Sequence, residues 1–364
     1  MHKSAAWPLA LIYVGLVVYA SLYPFADWRD QGIAPWVFLA APMPRYWTGF
    51  DLAINSVGYA PLGGLLSLGV IRSGRMRHVI VLPVLVASLL AFAMEMLQSY
   101  LPSRIPSRED WLLNTLGSLL GAVLIIVLAR LGALDRWSRV RARWFEPQSR
   151  GGLVLLALWP VSLLFPPAVP FGLGQVLERL EEAVGDLLSD TPFLDWLPVR
   201  ETELQPLIPG AEMLCVLLGL LIPCLLGFCV IRARVRRAVF VLMVVGSGVA
   251  ASWLSAALSW GPQHAWAWLG LPAQMGMVMA SILALLLTLV PWRTSAGLLL
   301  LALGVYLSLL NQAPESAYFA QTLHAWEQGR FIRFHGLAQW LGWVWPYAAL
   351  VYVFSMIWQR DAKN

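Results

Sequence analysis

The chain has 364 residues, of which 59% are hydrophobic and only 12% charged, with a mean hydropathy of +0.69. That ratio leaves too little charge to keep a soluble domain dispersed, and apolar runs near the roughly 18 residues that cross a bilayer recur from end to end. The net charge of +5 comes from arginines bunched beside apolar runs with no accompanying basic aromatic surface, so no nucleic-acid partner is expected.

The expected fold class is all-α: a polytopic transmembrane helical bundle. The apolar runs predict ten membrane helices, at roughly 7–25, 51–71, 79–100, 110–130, 152–168, 210–231, 238–260, 269–291, 295–311 and 337–358. The first, in MHKSAAWPLALIYVGLVVYASLYPF, reads as an uncleaved helix and not as a signal peptide. The connections at 72–78, 129–150 and 232–237 are basic, whereas 168–209 holds eight carboxylates against Arg179 and Arg200. Basic loops stay in the cytoplasm, which predicts cytoplasmic N- and C-termini and an external acidic connection. Within that connection, 173–190 is patterned as an amphipathic helix. Its acids disfavour anionic headgroups, so its apolar face is expected to dock on the protein's own helices. Cys215, Cys224 and Cys229 share one apolar run without histidine at metal-ligand spacing and read as packing residues. No metal and no cofactor is expected.

The chain also resembles itself. At an offset of 160, residues 69–102 fall on 229–262 with 11 identities in 34 positions, including Arg72 on Arg232, Arg77 on Arg237, Ser99 on Ser259 and Pro102 on Pro262. A duplicated membrane unit explains this. The expected domains are a four-helix unit at 1–145 and a degenerate second copy at 146–294 with its outer helix near 173–190. A terminal helix pair at 295–364 completes the chain; a partial echo sets Asp51 over His335, Asn55 over Gln339 and Tyr59 over Trp343. The second copy has lost the polar residues of the first: Asp51 becomes Ala211, Asn55 Cys215, Glu95 Ser255, Gln98 Leu258, Arg104 His264 and Asp110 Gly270.

Three carboxylate–amide pairs stand out in the first copy. Asp51 and Asn55 stand one turn apart at the start of the second helix, Glu95 and Gln98 near the end of the third, and Asp110 and Asn114 at the start of the fourth. Each pair shares a helix face, and each lies at the end of its helix that the charge rule places outside. A shared polar cavity in the outer leaflet follows as the expectation, with Arg104 beside it. Structural roles compete for every member. Asp51 suits a helix N-terminus; Ser107 and Asp110 fit a capping box; Asn55 and Asn114 can bond between helices; Arg108 and Glu109 look like a solvated pair. Glu95 stands inside an apolar helix and needs a partner or its proton, with Arg104 as the natural ionic partner. Gly117 and Gly121 add a GxxxG step.

The order Asp51, Asn55, Tyr59-x-Pro61-Leu62-Gly63, Glu95-x-x-Gln98, Pro102-x-Arg104 and Asp110-x-x-x-Asn114-x-x-Gly117-x-x-x-Gly121 resembles the VanZ-like family of bacterial membrane proteins, over about residues 10–130. The family is named for a protein linked to teicoplanin resistance, so the resemblance implies the bacterial cytoplasmic membrane and a cell-envelope role, and it supplies no reaction. Three functional classes stay open. An enzyme acting on an envelope lipid or lipid-linked precursor would use Glu95, with Asp51 or Asp110, as acid and base, and Arg104, Asn55, Gln98 and Asn114 to hold substrate. A proton-coupled carrier or lipid transporter would use Glu95 for coupling. A non-catalytic protein would bind an envelope intermediate. Substrate and oligomeric state are not legible.

Overall fold

The computed structural model describes residues 6–23, 25, 27–41, 49–147, 149–189, 191–193, 207–232, 234–314 and 332–361; the side chains of 49–54, 182, 260, 332–337 and 361 lie outside the description. Helix dominates it, as the apolar periodicity predicts. Twelve α-helices run through the described residues: α1 Ala6–Leu22, α2 Gly49–Arg72, α3 Val81–Gln98, α4 Arg108–Arg130, α5 Ala133–Trp144, α6 Arg150–Ser162, α7 Leu177–Leu188, α8 Pro209–Val230, α9 Arg234–Trp260, α10 Leu271–Leu287, α11 Trp292–Leu310 and α12 Ile332–Asp361. An isolated antiparallel bridge pairs Phe145 with Ile231.

Among the described residues, six stretches are long and apolar enough to cross a membrane: Val81–Gln98, Arg108–Arg130, Pro209–Val230, Arg234–Ser259, Trp292–Leu310 and Ala338–Arg360. The expected spans at 7–25, 152–168 and 269–291 correspond to shorter apolar helices, Ala6–Leu22, Arg150–Ser162 and Leu271–Leu287. The basic connection 129–150, expected as a loop, holds α5 instead. Its apolar residues Ala133, Trp137, Val140 and Trp144 recur at helical spacing between the arginines. The amphipathic helix expected at 173–190 begins only at Leu177, because Phe171 has φ 60 and Gly174 φ 93, left-handed values that no α-helix accommodates.

The chain divides into two compact units, Met1–Val140 and Arg141–Asn364. In the first, α2 and α4 approach most closely. A methyl group added to Gly117 would meet the carbonyl of Ser56, one on Gly121 that of Ala60, and one on Gly63 that of Ser118. Absent side chains thus bring the two backbones together, the packing that small residues permit in membrane helices. α1 and α3 pack on this pair around Ala10, Val17, Leu62, Ala87 and Ala91. Two polar side chains of α4 bond to α3: the Trp111 indole N–H donates to the Ser88 carbonyl at 3.2 Å, and the Thr115 hydroxyl to Ser88 Oγ at 3.0 Å.

The second unit is built around α8. Every residue from Cys215 to Val230 is buried, by α6, α9, α10 and α11, which accounts for a helix apolar on all faces. Its three cysteines are free and buried, and α12 packs on α6 and α11. Arg237 closes one end of the unit. Its guanidinium donates to the carbonyls of Phe228 at 2.7 Å, Ile231 at 3.1 Å and Val290 at 2.6 Å, so one cation serves carbonyls that helix ends leave open.

Candidate functional site

The polar residues of the first unit meet where α2, α3 and the start of α4 come together. Ser107 is the N-cap of α4: its Oγ accepts from the backbone N–H of Asp110 at 3.3 Å. In a capping box the acid at the third helical position would return the favour by accepting from the cap's own N–H. Here Glu95 does so from α3, taking the Ser107 N–H on Oε2 at 2.7 Å. The Ser107 hydroxyl donates to Glu109 Oε2 at 2.8 Å. Asp110 is thereby released from the box and reaches α2, where Asn55 Nδ2 donates to its Oδ1 at 2.5 Å. Asn55, Glu95 and Asp110, three of the residues singled out by sequence, are joined through Ser107 in one hydrogen-bonded chain.

Glu95 is 3% exposed, and the positive end of α4 supplies the amide that faces it, a favourable place for an anion. Gln98 and Arg104 reach the end of α1. Gln98 Nε2 donates to the Ser21 carbonyl at 3.0 Å and Arg104 Nη2 to the Tyr23 carbonyl at 2.5 Å, covering carbonyls that the last turn of α1 leaves open. Asn114 is buried on α4, one turn beyond Asp110. Asp51 lies in the first turns of α2, and its side chain is outside the described residues. The expected solvated pair of Arg108 and Glu109 is a correction: Glu109 is buried, and Arg108 approaches it at 4.0 Å while donating to the Leu39 carbonyl. The carbonyl of Leu39 and the cap hydroxyl draw both side chains back onto the protein.

One residue of this cluster was not singled out as a site by sequence reasoning. Tyr59 stands on α2 one turn after Asn55 and is 6% exposed. Its hydroxyl has no hydrogen-bond partner among the described residues, although Glu95 and Tyr13 are near enough to act on it electrostatically. The Tyr13 hydroxyl is itself engaged, donating to the Gly58 carbonyl at 2.8 Å. The four-residue spacing from Asn55 was the available signal, since it sets both side chains on one face. Among the described residues, no three His, Cys, Asp or Glu side chains form a group able to hold a metal ion.

No curated protein and no solved structure gives a match to this chain. A family model described as VanZ/LLP1 matches residues 8–129, a stretch that holds α1 through nearly all of α4 and every residue of the cluster. With six helices able to cross a bilayer among the described residues, the chain is a multi-pass membrane protein whose N-terminal unit is similar to the VanZ/LLP1 family.

Proposed function

We propose that the VanZ-like domain binds the polar headgroup of a cell-envelope lipid or lipid-linked precursor at this cluster. The site opens toward the outer leaflet of a bacterial cytoplasmic membrane. The carrying observation is the Tyr59 hydroxyl. A buried hydroxyl without a partner costs about 1–3 kcal/mol, and such groups in a folded protein call for an explanation. A ligand oxygen accepting from Tyr59 beside Glu95 supplies one. Glu95 then stands as the candidate acid or base, with Asp110 held by Asn55 as its neighbour and Asp51 one turn before Asn55 on the same helix. Arg104, which donates to the Tyr23 carbonyl, is the candidate cation for a phosphate-bearing headgroup, because a planar guanidinium matches phosphate geometry. The outward orientation rests on the basic connections, which belong on the cytoplasmic side together with both termini.

The second unit supports confining the site to the first. Under the offset of 160, α8, α9 and α10 correspond to α2, α3 and α4, and α8 packs on α10 as α2 packs on α4. We read it as a degenerate copy. Tyr59 corresponds to Gly219, and the space beside Gly219 is taken by the backbone carbonyl and Cβ of Phe171.

Native mass spectrometry of purified protein, wild type against Tyr59→Phe, tests the proposal. A co-purifying envelope lipid on the wild type that Tyr59→Phe loses, with the thermal midpoint unchanged or raised, is the expected result. Equal lipid on both proteins would overturn the site. For a lipid so identified, chemical turnover in detergent marks an enzyme, and flux into proteoliposomes without chemical change marks a carrier. A shift in glycopeptide susceptibility on expression would tie the lipid to the envelope role.

A further inference from the structure

α7 presents part of its apolar side outward. Leu177, Leu180 and Leu187 are 42%, 57% and 78% exposed, and with Ala183 they fall on one side of the helix. Glu178 and Glu181 are half-buried instead, and the Arg179 guanidinium lies 4.6 Å from the centre of the Trp343 ring, a cation–π arrangement. The apolar arc expected to dock on the protein's own helices is split: Val184 and Leu188 are half-buried, whereas Leu177, Leu180 and Leu187 stay exposed, as does Asp186.

The height of α7 is set by α11. Asn311, directly after the last turn of α11, accepts on Oδ1 from the N–H groups of Val176 and Leu177 at 3.0 Å each, and its Nδ2 donates to the Gly174 carbonyl at 3.1 Å. A side chain at the end of one helix thus caps the start of another. α11 is among the helices able to cross a membrane, so its end marks a boundary between hydrocarbon and water, and α7 begins at that boundary.

We infer that α7 lies in the plane of the bilayer interface with Leu177, Leu180 and Leu187 inserted among lipid chains. Amphipathic helices take that position when an apolar face meets the boundary between headgroups and acyl chains. The headgroups it accepts are zwitterionic or neutral. Glu178, Glu181, Glu182 and Asp186 outnumber Arg179 on this helix, and a surface of that sign is repelled by anionic lipid.

Bimane attached at Leu187→Cys and, separately, at Asp186→Cys reads the position of the two sides, because the native cysteines are buried. The protein is placed in phosphatidylcholine nanodiscs containing doxyl-labelled lipid. The label at 187 is expected to be quenched by doxyl lipid roughly threefold more than the label at 186, with the order reversed for aqueous iodide, as an interfacial helix requires. Replacing half of the phosphatidylcholine with phosphatidylglycerol should lower the lipid quenching at 187. Iodide quenching at 187 equal to that at 186 would put the leucines in water, and shielding from both quenchers would put them under protein; either overturns the insertion. Lipid quenching that rises with phosphatidylglycerol would overturn the headgroup assignment.

Discussion

The amide of Ser107 needs an acceptor at the start of α4, and the acid that supplies it determines what the others can do. Because Glu95 supplies it from a different helix, this carboxylate both holds the cap and stands beside the unsatisfied Tyr59 hydroxyl. The two roles separate by substitution. Glu95→Gln keeps an oxygen for the Ser107 N–H and loses the charge. Its thermal midpoint in detergent should stay within a few degrees of wild type, while lipid binding or turnover is abolished. Glu95→Ala removes the acceptor as well and should cost about 1–3 kcal/mol of stability. Full function in a well-folded Glu95→Gln protein would leave Glu95 with its capping role alone. The sequence marked Glu95 because a carboxylate within an apolar helix needs compensation. It did not mark Tyr59, because a tyrosine in a membrane helix is ordinary until its hydroxyl is found without a partner.

Between elements, the pairing of α2 with α4 governs where Asn55 meets Asp110. The backbones touch at Gly117 and Gly121, where a Cβ would strike the carbonyls of Ser56 and Ala60. Those carbonyls lie on the same stretch of α2 as Asn55 and Tyr59. Gly121→Ala should therefore spread the two helices and destabilise the first unit by about 1–3 kcal/mol, as overpacking does. Gly58→Ala is the control, because nothing lies within 4 Å of a methyl group there, and its midpoint should not fall. Equal midpoints for the two variants would show that α2 and α4 do not depend on this contact. GxxxG alone is a weak motif; the carbonyls opposite it on α2 give it meaning, and those are not adjacent in sequence. For α7 the periodicity was legible, but which side faces the protein was not, and α5 was read as a basic connection. In α7 the cap from Asn311 and the contact of Arg179 with Trp343 set the rotation of the helix.

For the whole molecule, the proposal confines the chemistry to the first unit. Ser255, which the sequence offset of 160 sets on Glu95, is buried and donates to the Leu164 carbonyl at 2.9 Å. Ser255→Ala should cost about 1 kcal/mol and leave lipid binding by the first unit unchanged. Lipid loss in Ser255→Ala matching that of Glu95→Gln would show that both units share the work. The family match ends at residue 129, close to where the first compact unit ends at Val140. The second unit adds its own features: a central helix buried from Cys215 to Val230, and the Arg237 closure.

Composition and periodicity by themselves determined that this is a helical membrane protein. They also marked the helix faces that bear acids and amides, and the order of those residues carries the resemblance to the VanZ-like family. Those properties are local: a helix needs its own apolar spacing, and a face needs only residues three or four apart. Tertiary structure alone decided that Glu95 serves the cap of α4, that Gln98 and Arg104 serve the end of α1, and that Tyr59 is left with an open hydroxyl. Hydrogen bonds act over about 3 Å, so their partners are chosen by how closely the helices approach, and that approach is set by glycines and caps on different elements.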